Sequence, residues 1–221
     1  MKTTKDKRFL VLTTLICLLP IAMYLVAYQY LPEDMRVTWG VSAIRTLPRP
    51  IAIFVLPVAL ALVHLLVAFL TQKDPRKENA SMALQHLVGW IVPVVSIFVN
   101  TIVLLSNTGA YLAEEAVLTL TLVFVGLTFI VAGNYLPKSR PNQTIGLPLP
   151  WILNDVDNWK KTHRLAGKLM IFGGFLFIVG AVLPLATSTT LVLILMLSVG
   201  VFCLVVPIVY SLALHGKKDK A

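Results

Sequence analysis

Charge is scarce in this sequence. Only 13% of the 221 residues are Asp, Glu, Lys or Arg, and the 10 acids are outnumbered by 19 bases. Cysteine is scarcer still, with Cys17 and Cys203 alone, both inside long apolar runs, so a disulfide framework or a CxxC metal site is excluded and both read as packing residues. No HExxH, no GxSxG and no phosphate-cradling glycine loop occurs. No acid falls inside an apolar run, which leaves an intramembrane proton relay or metal site without its usual members. The chain therefore reads as a non-enzyme with no cofactor and no metal.

Apolar residues make up 57% of the chain, against roughly 45–50% in soluble domains, and the mean hydropathy is +0.84. About 20 apolar residues cross a bilayer. Six runs qualify: Phe9–Tyr30, Ile51–Leu70, Leu84–Leu105, Ala116–Leu136, Leu165–Ala186 and Thr190–Leu214. The expected fold is an all-α, polytopic membrane bundle of six transmembrane helices forming one integral membrane domain over residues 1–221. The first run follows basic residues as a signal peptide does, but it is too long for one and lacks a cleavage site, so it reads as a retained helix. Pro20, Pro57, Pro93 and Pro207 lie inside runs, and Pro184 near the outer end of the fifth; each predicts a bend within ordinary membrane-helix geometry.

All 19 bases except Arg36, Arg45 and Arg49 fall at the N-terminus, at the C-terminus, between runs two and three, or between and at the edges of runs four and five. Cytoplasmic loops retain Lys and Arg, so both termini are expected inside, at a cell membrane crossed several times. The net charge of +9 then forms a basic rim that faces anionic lipid headgroups. Spread around a rim, these charges do not suit nucleic acid. Glu114 and Glu115, on the opposite side, form a solvated cap or a lure for a cationic peptide. Within the runs His64 reads as a neutral, hydrogen-bonded packing residue, and Asn100 as a bond to a neighbouring helix.

The stretch from Gly146 to Met170 is the densest in signals. Its first part, Gly146 to Trp151, is too proline-rich for helix and too apolar for a free loop, so it should lie at the headgroups or fold back on the bundle. Asn154 or Asp155 can cap a helix on which Lys160, Arg164 and Lys168 form a cationic stripe. Trp159, His163 and Met170 line the neighbouring face, an arrangement that suits anchoring of a helix entering the membrane. Further along, Ala166, Gly173 and Gly180 repeat every seven residues, and Gly167, Gly174 and Ala181 repeat one position on. Small residues at this period make a groove for another helix, which reads as helix packing in preference to ligand binding. Leucine at Gly174 should not be tolerated there, whereas Phe177 should accept it.

The order Gly133-Asn134-Tyr135-Leu136-Pro137, Gly146, Pro150-Trp151, Trp159, Thr162-His163-Arg164 and Gly167-Lys168 resembles the signature of the SdpI-like immunity protein family, bacterial integral membrane proteins. Leu147 and Leu149 depart from that pattern. Leu31-Pro32, Val37 and Trp39 resemble a DUF1648-type segment, with Arg36, Thr38 and Gly40 where other residues are usual. The resemblance divides the chain into an N-terminal DUF1648-like hairpin, residues 9–70, and an SdpI-like four-helix region, residues 84–214. It implies protection of the cell against a secreted toxic peptide that attacks the membrane, in some members with relay to a cytoplasmic regulator. The candidate functional residues are then Asn134, Trp151, Trp159, Thr162, His163 and Arg164. A small transporter, or a membrane enzyme built on His163 with Asp155 or Asp157, stays open as an alternative, although a transporter would need a more polar midplane and an enzyme a nucleophile.

Overall fold

The computed structural model describes residues 4–37, 46–80, 82–109, 113–183 and 188–218. Its helices are α1 (Thr4–Val26), α2 (Arg49–Lys73), α3 (Met82–Asn107), α4 (Glu114–Tyr135), the short α5 (Pro150–Leu153), α6 (Val156–Gly180) and α7 (Thr189–Lys218). All but α5 are long and apolar enough to cross a membrane, as the six hydrophobic runs predict. Pro20, Pro57 and Pro93 lie inside α1, α2 and α3, and Pro207 inside α7. Pro184, and Thr38, Trp39 and Gly40 of the N-terminal pattern, lie outside the described residues.

The chain divides into two compact units. The first comprises residues 1–73 and 85–114. In it β1 (Asp34–Arg36) pairs antiparallel with β2 (Thr46–Pro48), placing Met35 opposite Leu47. Met35 is fully buried with Tyr24, Leu31, Ile53 and Val103. Polar side chains, costly in hydrocarbon when unpaired, are matched between neighbouring elements. The Thr13 hydroxyl already donates to the Phe9 carbonyl at 2.9 Å. It therefore accepts from His64 Nε2, 2.9 Å away, which gives the expected hydrogen bond of a packing histidine. Tyr24 donates to the Asn100 side chain at 3.0 Å, and Ser96 to the Cys17 carbonyl at 2.8 Å. Asn107 clamps β1 from both sides, accepting from the Arg36 amide at 2.8 Å and donating to its carbonyl at 3.0 Å.

The second unit comprises residues 74–84 and 115–221, with α6 at its centre. The two small-residue registers of α6 serve two different neighbours. A Cβ on Gly174 would lie 2.6 Å from the Gly126 carbonyl of α4, and one on Gly167 2.6 Å from that of Gly133. The contact is reciprocal and antiparallel, glycine on glycine, one heptad apart. On the adjacent face a Cβ on Gly173 would meet Cys203 of α7 at 2.7 Å, and one on Gly180 would meet Met196 at 2.8 Å. Ala166 and Ala181 are buried on the same helix. Phe177 differs from its sequence reading. It is 6% exposed, packs edge-on against Phe129 at 5.2 Å and joins the core of Leu118, Leu122, Val192 and Met196. Its position four residues after Gly173 and three before Gly180 puts it on their face.

Candidate functional site

α6 starts at Val156, nine residues before the predicted run, so the charged segment and the span are one helix. Asp155 caps it, its side chain accepting from the Asn158 amide at 3.1 Å, with Asp157 in the first turn where an acid suits the helix dipole. Lys160, Lys161, Arg164 and Lys168 all face outward. The opposite face, Asn158, Trp159, Thr162 and His163, is buried.

What buries it is the loop from Ser139 to Leu149, folded back as an alternative to lying at the headgroups. Trp159 is 0% exposed, donates through Nε1 to the Ser139 carbonyl at 3.0 Å and stacks on His163 with ring centres 3.9 Å apart. A tryptophan enclosed in this way is a core residue, which corrects the anchoring role expected for it and for His163. The two bonds of His163 fix its chemical state. The Leu147 amide, which can only donate, points at Nε2 from 3.0 Å. The Trp159 carbonyl, which can only accept, lies 2.9 Å from Nδ1. The ring is therefore neutral with its proton on Nδ1, since protonating Nε2 would set two donors against each other. Gly146 passes over the ring at φ +107°, and a Cβ there would overlap Nε2.

The rest of the loop is held from a segment distant in sequence. The Asp74 carboxylate accepts from the Gln143 amide at 2.8 Å, the Thr144 hydroxyl at 2.9 Å and the Arg76 amide at 2.8 Å. Asn142 turns the loop by accepting from the amides of Thr144 and Ile145. Asn79 donates to the Pro141 carbonyl at 2.7 Å, and Arg76 bonds the Leu153 carbonyl and the Asn154 side chain. At the other end Ser211 of α7 takes two bonds, from Trp151 Nε1 and, at its carbonyl, from Asn158, each at 3.0 Å. Thr162 donates to Asn158 at 2.9 Å.

Four of the six sequence candidates, Trp151, Trp159, Thr162 and His163, are thus brought into one hydrogen-bonded body around the loop. Asn134 and Arg164 are not; both side chains are exposed. Sequence reasoning missed Asp74, Arg76, Asn79, Ser139, Asn142 and Ser211. The Asp74-Pro75 turn opening was a signal for the first. Nothing local pointed to its partners 69 and 70 residues on. Among the described residues no group of three or more His, Cys, Asp or Glu could hold a metal ion.

Six spanning helices with a loop sealed into one end of the second unit define a polytopic helical membrane protein. Residues 138–211 match the SdpI/YfhL protein family, a stretch that opens one residue before the loop and closes on Ser211. Over 190 residues, 86% of this chain and 87% of the other, the sequence is 28% identical to "Immunity protein SdpI" of Bacillus subtilis (strain 168). Both matches support an SdpI-like family for this chain. No solved structure matches it.

Proposed function

We propose that this chain is a membrane immunity protein that protects its cell against a secreted, membrane-active toxic peptide. The observation that carries this reading is the 28% identity to an immunity protein along 86% of the chain. The arrangement of the signature adds to it. Trp159 and His163 are consumed in holding the loop and Thr162 in fixing Asn158, while Arg164, in the same Thr-His-Arg run, stands exposed. Arg164 is therefore the residue of that run we assign to the partner. A guanidinium offers a planar fork of donors that an ammonium does not reproduce.

In a toxin-sensitive host, wild-type protein should restore survival. Arg164→Lys should lose most of it, on the order of tenfold or more, at an unchanged protein level. Trp159→Phe should instead lower the level, because the Ser139 carbonyl loses its buried donor at about 1–3 kcal/mol. Full protection by Arg164→Lys would remove Arg164 from the contact, and no protection by the wild type would sink the immunity reading.

The same reading puts the residue 74–80 and 139–149 connections inside the cell, where basic loops are retained. Ala113 and Ser188 are exposed on the opposite connections. Cysteine probes placed there should react with an impermeant maleimide added outside, and probes at the exposed Glu78 and Lys138 should not. The reverse pattern would invert the protein.

A further inference from the structure

The segment after Asp74, the loop after Ser139 and the first turn of α6 enclose a cleft of about 680 Å³, within the size range of small-ligand sites. Three cations line it, Arg76, Arg140 and Lys160, together with Asn79 and Asn154. No carboxylate is among the lining residues. Of the acids at this end, Asp74 is 6% exposed and spends both oxygens on Arg76, Gln143 and Thr144, Asp155 caps α6 through the Asn158 amide, and Asp157 is exposed in the first turn. Arg76 is fixed by bonds to the Leu153 carbonyl and the Asn154 side chain. Two of its five N–H donors are thereby used and three remain. The side chains of Arg140 and Lys160 are exposed and take no part in the hydrogen bonds that build the loop.

Three like charges around one concavity repel each other unless an anion sits among them, and fixed amide and guanidinium donors favour an oxyanion with several acceptor oxygens. Val156, half-exposed at the first position of a spanning helix, adds an apolar wall to the cationic floor. We propose that this cleft holds a phosphate group, that of an anionic phospholipid headgroup at the membrane surface, with the acyl glycerol against the apolar side. The inference does not depend on the immunity reading.

The test uses the full-length chain purified in detergent and counts lipid retained per protein by native mass spectrometry. Dioleoyl phosphatidylglycerol should be retained over dioleoyl phosphatidylcholine. A surface cation contributes about fivefold to anionic-lipid binding, so Arg140→Gln with Lys160→Gln should weaken that retention roughly 25-fold. Neither side chain supports the loop, so the variant should melt like the wild type. Lys168→Gln, exposed on α6 and not lining the cleft, is the control and should change retention less than Arg140→Gln or Lys160→Gln alone. Inorganic phosphate distinguishes the source of the anion. Failure to displace phosphatidylglycerol supports the lipid, and displacement supports the phosphate chemistry while assigning the site to a soluble anion. Equal retention of the two lipids by the wild type, or an equal loss from Lys168→Gln, would overturn the proposal, since the basic rim alone would then account for binding.

Discussion

Replacing Gly146 by alanine should leave little folded protein. The residue sits at φ +107°, and the added methyl would overlap Nε2 of His163 and come within 2.9 Å of its Cδ2. Strain of this kind costs on the order of 1–3 kcal/mol. Pushing the ring away also strips the part-buried Leu147 amide of its acceptor, which adds about 1 kcal/mol, the low end for an unsatisfied donor. Together these are a large fraction of the roughly 5–15 kcal/mol that holds a typical domain folded. Size-exclusion profiles and thermal melts in detergent should show aggregated protein, or a midpoint lowered well beyond the effect of a surface change. Gly146→Ala combined with His163→Ala removes the overlap but neither the backbone strain nor the lost acceptor, so it should recover only part of the yield. Wild-type behaviour of Gly146→Ala alone would mean that the loop does not cross the imidazole.

Gly174→Leu should be comparably damaging for a different reason. The α4 and α6 backbones meet at Gly126 and Gly174 so closely that even a Cβ would lie 2.6 Å from a carbonyl oxygen and 3.1 Å from the Ile130 amide. A backbone cannot step aside as a side chain can, so the helices must separate along their length and lose the matching contact of Gly133 with Gly167 as well. Overpacking ordinarily costs about 1–3 kcal/mol, and here the upper end or beyond is expected. Phe175→Leu, at a position 56% exposed, is the comparison and should stay within ~0.5 kcal/mol. Equal yields of the two variants would place Gly174 against lipid.

The spans were legible because a bilayer imposes one requirement, an apolar run of sufficient length, that neighbours in space do not alter. The seven-residue period on α6 was legible too. Its partner follows the same rule, since Gly126 and Gly133 stand seven apart in the preceding span, but a small-residue period marks a contact face without naming the helix that it meets. Trp159 was misread because tryptophan at the mouth of a span is equally at home against headgroups or inside protein. Composition cannot choose between these, and the choice here was made by the fold-back of a loop whose own sequence allowed either course. The role of Asp74, beyond its turn with Pro75, was hidden for a stronger reason: a carboxylate acquires its meaning from the donors around it, and Gln143 and Thr144 lie on the far side of two spans.

The discontinuity of the second unit bears on how the chain is assembled. Residues 1–73 and 85–114 are all synthesised before residue 115, so the first unit has its complete chain while most of the second is still unmade. The segment from Asp74 to Leu84 is made early, as the link between two spans of the first unit, and then waits. One Asp74 oxygen takes the nearby Arg76 amide, but the other is matched only when Gln143 and Thr144 emerge, and the loop that contains them is closed only by His163, 16 residues beyond Leu147. Ser211 then secures Trp151 and Asn158 from 60 and 53 residues away. The loop is thus a late joint in the order of translation, set when the last span arrives, and a ribosome that stops short of Ser211 releases a chain whose loop is still unsecured.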